Sequence, residues 1–263
     1  MGRDVNVFKY VLANSPYETE TTVMLVSHRK QFIFTKTAKT AGTSVESYFE
    51  QYCMPDGAWQ ESHYRDEYVS ESGIIGYRGP GSRRATYFNH MPAKRIRELV
   101  GEDIWHRYFK FTVVRNPFDK LVSHFFWVER RKQKSSVAQR LVALGKRALG
   151  SEPRLSRRET DEAIERFRCW VRETRTGPDR ERYMIDSREC VDYFIRFEEL
   201  GEGIKHVCDR LRIPFEPTRI PTFKKGIRPG NVQLSDLYDR ETEKIVQELY
   251  DWELERFGYE LPK

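Results

Sequence analysis

The stretch Gln31-Phe32-Ile33-Phe34-Thr35-Lys36-Thr37-Ala38-Lys39-Thr40-Ala41-Gly42-Thr43-Ser44-Val45-Glu46-Ser47-Tyr48-Phe49 decides the fold. Its first five residues are a short apolar run of β-forming types. A Thr/Ala/Gly segment follows, and then apolar residues resume at Val45, Tyr48 and Phe49. The pattern reads as strand, tight loop, helix. The same order recurs at Tyr108-Phe109-Lys110-Phe111-Thr112-Val113-Val114, which has little alternation, as befits a strand buried on both faces. Arg115-Asn116 then leads to Pro117, a residue suited to the first turn of a helix. Phe118, Leu121, Val122, Phe125 and Phe126 continue at helical spacing. A third strand, Val191-Asp192-Tyr193-Phe194-Ile195-Arg196-Phe197, precedes a helix that runs to about Leu211. Residues 93–100 read as a helix stopped by Gly101, and residues 240–257 as one long amphipathic helix closed by Gly258. Strands alternating with helices imply an α/β protein, three layers with a central parallel sheet. In such sheets ligands bind at the carboxyl ends of strands, where both loops of interest lie.

Length and composition agree with a single domain spanning residues 1–263. The chain has 38% hydrophobic residues, 16 Phe and 14 Tyr, enough for a sizeable core, and 33% charged residues for a solvated surface. No internal repeat is visible. No run of about 18 apolar residues occurs, so no membrane-spanning helix is expected. Met1-Gly2-Arg3-Asp4 opens no signal peptide, and a cytoplasmic location is expected. Cys53, Cys169, Cys190 and Cys208 are scattered and form no Cys-x-x-Cys pair, which argues against zinc and against a disulfide framework.

Charge is concentrated in one place. Residues 129–160 hold ten Lys/Arg and three acids, a balance of +7 in a chain whose net charge is +6. The segment reads as an insertion over the core, a lid in the active reading. It would draw anions, whether nucleic acid, anionic lipid or acidic glycan. A solvated surface insertion fits the composition equally well.

The loop at residues 35–44 has the chemistry of an oxyanion cradle. Small residues let the backbone close around an anion, and the helix N–H groups and dipole hold its charge. Gly42 permits close approach, Thr43 and Ser44 add hydroxyl donors, and Lys39 brings a mobile cation. It is not the nucleotide-hydrolase P-loop, in which the lysine follows the glycine. By itself such a loop is also an ordinary strand-to-helix turn.

The run Lys39-Thr40-Ala41-Gly42-Thr43-Ser44 after an aromatic and aliphatic strand resembles the 5′-phosphosulfate loop of sulfotransferases that use 3′-phosphoadenosine 5′-phosphosulfate (PAPS). It is most similar to the carbohydrate branch, the heparan 2-O and chondroitin-like enzymes, and to short bacterial-type members. Arg115 and, eight positions on, Ser123 resemble the pair that binds the donor's 3′-phosphate in that family. Physically, the Arg115 guanidinium supplies a planar fork for phosphate oxygens. Thr222-Phe223-Lys224-Lys225-Gly226 is similar to the segment that closes on the same phosphate, which implies cofactor contacts for Lys224, Lys225 and Gly226. The resemblance covers residues 32–261 apart from the basic insertion and implies the sulfotransferase fold.

Six histidines are candidates for a base: His28, His63, His90, His106, His124 and His206. On position alone His90, in Phe88-Asn89-His90-Met91-Pro92-Ala93, reads as a capping or packing residue. The resemblance implies that it is the base, since it stands just before the helix preceding the Arg115 strand. An ordinary histidine can take a proton from an attacking alcohol. His124 reads as structural, and nothing marks His63. The implied reaction is in-line sulfuryl transfer from PAPS to a hydroxyl, with Lys39 stabilising the leaving phosphate and without a metal. A glycan or glycoconjugate acceptor is expected, with Trp59, Tyr64, Tyr68, Tyr77 and Tyr87 in the stretch where acceptor contacts belong, and no nucleic-acid partner. Two rivals stand beside this reading: another nucleotide-dependent phosphotransferase, and a non-enzymatic binder of nucleic acid or other anions through residues 129–160.

Overall fold

The computed structural model describes residues 24–78, 85–87, 90–134, 155–221 and 229–262. Six strands form the main sheet: β1 (Leu25–Ser27), β2 (Phe32–Phe34), β3 (Tyr68–Ser70), β4 (Gly73–Ile75), β5 (Phe109–Val114) and β8 (Tyr193–Arg196). Two short strands, β6 (Met184–Ile185) and β7 (Arg188–Glu189), make a separate hairpin. The sheet order is β3-β4-β1-β2-β5-β8. β2, β5 and β8 run parallel, and β1, β3 and β4 extend the sheet antiparallel on the β2 side. The three strands read from sequence are therefore the parallel part, and it is this part that carries the site. The antiparallel strands span only three residues each, and unlike β2, which is equally short, none runs into a small-residue loop and helix that would mark it.

Side chains alternate across the sheet, so parity assigns the two faces. Phe32, Phe34, Phe111, Val113 and Ile195 pack against α1 (Gly42–Phe49) and α6 (Leu200–Leu211). On the opposite face Val26, Ile33 and Ile74 meet α2 (Ala93–Val100) and α3 (Glu102–Arg107). Val114 and Phe194 meet Phe257 of α9 (Asp251–Phe257) on that same face. The result is the α/β/α sandwich expected from the sequence. A helical subcore flanks it, in which Phe118, Leu121, Phe125, Phe167, Val171, Leu237 and Val246 join α4 (Pro117–Lys134), α5 (Arg157–Thr174), α7 (Leu234–Leu237) and α8 (Arg240–Leu249).

Two features differ from the sequence reading. The last long helix is divided at Tyr250, whose backbone leaves helical geometry (φ −111°, ψ 23°). Its ring is buried and its hydroxyl donates to Gly177 O at 3.0 Å, so a tertiary contact competes with helix continuation. In the basic segment, α4 continues without a break to Lys134, and α5 begins at Arg157 behind a Ser156–Glu159 capping box. The remainder of the supposed lid, residues 135–154, lies outside the described residues.

Candidate active site

The cradle is built from backbone first. Thr35 N donates to Phe111 O at 3.0 Å, carrying the β2–β5 pairing to the very end of the strand. Beyond it the chain turns sharply. Lys39 (φ 61°) and Ala41 (φ 59°) are both left-handed, a conformation costing non-glycine residues about 1–2 kcal/mol each. Four contacts hold that strain. Thr37 Oγ1 donates to Val113 O, and Thr40 Oγ1 then donates to Thr37 Oγ1 at 2.9 Å. Ala38 N donates to Asp179 Oδ2 at 2.6 Å, and Arg115 Nη1 donates to Lys39 O at 2.8 Å. Ser44 and Val45 turn their N–H groups back to Ala41 O. The N–H groups of Gly42 and Thr43 precede the first intrahelical bond and point out of the helix start.

The predicted loop residues divide by role. Thr40 is buried and its hydroxyl is engaged within the loop. Ser44 is also buried, whereas Thr43 and Lys39 are partly exposed. Gly42 is needed for a reason beyond anion approach. A Cβ there would lie 2.7 Å from Cγ of Lys36, whose side chain runs beneath the helix start. Lys36 Nζ donates to Thr43 Oγ1 at 3.1 Å and to Glu46 Oε2 at 2.6 Å. An ammonium can only donate, so the Thr43 oxygen accepts and its own hydrogen is left to turn outward.

Lys36 is the first member of a buried ion network. Glu46 also meets Arg78 at 2.7 Å; Glu50 meets Arg78 at 3.2 Å and Arg65 at 2.7 Å. Three cations against two carboxylates leave this network with an excess of one positive charge, beneath a loop suited to anions. Burial raises the Glu50 carboxyl above its ordinary range, and neighbouring Glu46 adds to the rise against the pull of Arg78 and Arg65.

The helix after β5 supplies the opposite wall. Lys120, Ser123, His124 and Trp127 share one face of α4 at i, i+3, i+4 and i+7. Lys120 Nζ pairs with Asp179 Oδ1, and Lys39 Nζ sits 4.9 Å from the centre of the Trp127 ring. His124 packs against Trp127 and Trp170. Burial, then the Lys39 and Lys120 charges, lower it to about 4. Arg115 lies at the C-terminal end of β5, as the sequence predicted, but its guanidinium is engaged. It contacts Asp119 through Nε at 2.8 Å and Nη2 at 2.6 Å, and it stacks on Phe197 at 4.0 Å.

His90 lies beside the cradle. Its Nδ1 lies 2.8 Å from Lys36 O. A carbonyl only accepts, so Nδ1 carries the hydrogen and Nε2 the lone pair. Burial, followed by the charges of Arg182 and Lys36, lowers the imidazole to about 3 and keeps it neutral. His90, 51 residues after Lys39 in the chain, is thus brought beside the cradle.

Asp179 and Arg182 were missed. Burial by itself would raise the Asp179 carboxyl, but Lys120, Arg182 and the Ala38 N–H outweigh it and hold it at about 2. Asp179 lies 141 residues from Ala38, and nothing local in Gly177-Pro178-Asp179-Arg180 marks it. Lys120 and Trp127 were within reach of the sequence, because they share the helix face of Ser123. Lys224, Lys225 and Gly226 lie outside the described residues. Of the aromatics expected to contact an acceptor, Tyr64 is exposed at 61%, Trp59 donates to Glu50 Oε2 at 3.0 Å, and Tyr68 and Tyr87 pack on the cores.

A three-layer sheet with a strained strand-to-helix cradle, flanked by a strand-end arginine and a neutral histidine, belongs to the α/β proteins that handle phosphate or sulfate oxyanions. Residues 22–260 match the sulfotransferase family, and the chain belongs to it. No curated protein and no solved structure matches the chain significantly. Among the described residues no helix is long and apolar enough to cross a membrane.

Proposed function

We propose that the chain transfers the sulfuryl group of PAPS to a hydroxyl of a carbohydrate acceptor, acting as a single domain of the short bacterial-type carbohydrate branch. The observation that carries this reading is the junction of two strand-end elements, the Lys39–Ser44 loop after β2 and Arg115 after the adjacent parallel β5. A donor phosphorylated at both its 5′ and 3′ positions needs two such oxyanion sites side by side. The backbone of residues 40–43, Lys39, Thr43 and Ser44 would hold the 5′ end. Arg115 and Ser123 would hold the 3′-phosphate, Arg115 exchanging part of its pairing with Asp119 for phosphate oxygens. Lys224, Lys225 and Gly226 are proposed to complete that end.

In this reading the neutral His90 accepts the hydroxyl proton at Nε2 as the acceptor oxygen bonds to sulfur. The sulfur–oxygen bond to the 5′-phosphate breaks, and Lys39 leaves Trp127 to meet the negative charge released on that oxygen. Charge stabilisation at a leaving oxygen is worth up to about 3 kcal/mol to a transition state, less whatever it costs Lys39 to leave the ring. The location proposed is cytoplasmic.

Thermal-shift measurements test the donor. Stabilisation by adenosine 3′,5′-bisphosphate without metal is expected; stabilisation only by ATP with magnesium would instead favour a phosphotransferase. Turnover of labelled PAPS with a panel of sugars, lipids and small alcohols then tests the acceptor.

A further inference from the structure

Arg182 stands at the cradle with a donor that the protein does not satisfy. It ends the short 3₁₀ turn Arg180–Arg182, in which Arg182 N bonds to Asp179 O at 3.0 Å. Residues three apart in such a turn eclipse one another, so Arg182 shares the face on which Asp179 grips Ala38 and Lys120. Arg180 leaves in another direction, to Glu253 and Asp251. Nη1 of Arg182 pairs with the adjacent Glu181, whereas Nε is buried and without an acceptor. A buried, unsatisfied donor on a charged group is costly and calls for a partner such as a water, an ion or a group in a functional site.

We propose that Arg182 binds an oxyanion of the reacting pair on the His90 side of the cradle, through its free Nε edge. This rests on the sulfuryl-transfer reading above. The oxyanion has two possible sources: the sulfuryl oxygens of the donor, or a carboxylate or sulfate on the acceptor. The electrostatics agree with a guanidinium close to the base. The charged groups acting on His90 are Arg182 and Lys36, which lower it, and Asp179, which raises it. An anion bound by Arg182 would offset the cations just when the base must take a proton.

The test compares wild type, Arg182→Gln and Arg182→Lys by calorimetry with adenosine 3′,5′-bisphosphate and with PAPS, and by kinetics with an acidic and a neutral sugar. In Arg182→Gln, bisphosphate affinity is expected to stay close to wild type, because Lys120 and the Ala38 N–H still hold Asp179. If the sulfuryl group is the ligand, PAPS affinity falls tenfold or more. If the acceptor is, KM rises by that factor for the acidic sugar alone. In either case the acid limb of kcat moves to higher pH, and Arg182→Lys recovers part of the loss. Unchanged nucleotide affinities, KM values and pH profile would overturn the proposal. So would an equal loss for both nucleotides with a lowered melting temperature, the mark of a structural role. Should Arg182→Gln not fold, Arg182→Lys keeps the charge without the Nε donor and decides through the same readouts. Failure of wild type to bind the bisphosphate would refute the donor reading, a result independent of Arg182.

Discussion

Nη1 of Arg115 donates to the carbonyl oxygen of Lys39 at 2.8 Å, joining the end of β5 to the left-handed residue at the heart of the cradle. In the proposed reading this one side chain shapes the first oxyanion site and forms the second. Arg115→Ala removes both contributions, and a charge-assisted bond of this kind is worth about 1.5–3 kcal/mol. Calorimetry with adenosine 3′,5′-bisphosphate should show a loss of about tenfold to a hundredfold. Arg115→Lys should recover little, because an ammonium cannot reproduce the fork.

The Lys36–Thr43 bond yields a double-mutant prediction. If Lys36 orients the Thr43 hydroxyl toward the ligand, Lys36→Met and Thr43→Val each weaken bisphosphate binding. The double variant should then be no weaker than the worse single one, a coupling of about 1 kcal/mol. Fully additive losses would show that the two act separately. Lys36→Met also strips Glu46 of one partner, and a drop in melting temperature is expected because a buried ion network has been broken.

His90 and His124 lead to a pH prediction. Both are lowered in the fold, to about 3 and about 4, from the ordinary value of 6.5. Between those values and 6.5 the unfolded chain binds more protons, so stability rises with pH across that window and is lost as pH falls through it. The melting temperature should decline below pH 6.5, with a shallower slope in His90→Gln. Turnover should persist below pH 6.5, since His90 remains neutral there. His90→Gln should abolish most turnover and leave bisphosphate affinity intact. An acid limb of kcat centred at 6.5 would contradict the burial of this imidazole.

Lys39 over Trp127 offers a spectroscopic handle. Bisphosphate binding that draws the ammonium off the ring should change tryptophan fluorescence in wild type, and Trp127→Phe should remove most of that change. Lys39→Ala should lose most sulfuryl turnover and, with Lys39 gone and Arg131 still over the ring, should show a much smaller ligand-induced Trp127 signal.

Asp179→Ala should loosen the loop, because Ala38 N loses its acceptor and Lys120 its partner. Lower bisphosphate affinity and a lower melting temperature are expected together. Asp179→Asn keeps an oxygen for Ala38 and should be milder.

The Lys39–Ser44 loop, the Arg115 strand end and the Ser123 helix face were legible in the sequence by itself. Each is a local feature, set by strand and helix periodicity and by small residues where the backbone must turn. His90 needed family resemblance as well, since a lone histidine before a helix has many ordinary uses. Only the tertiary structure decided that Thr40 faces inward, that Lys36 lies under Gly42, and that Arg115 is tied to Lys39. It also brought in Asp179 and Arg182, more than 130 residues along the chain from the cradle. The reason is physical: a charged residue in a turn looks the same whether water or another segment receives it. Its burial and partner depend on the packing of the α4–α5–α8 subcore against the sheet, a sum over many distant contacts that no short window of sequence contains.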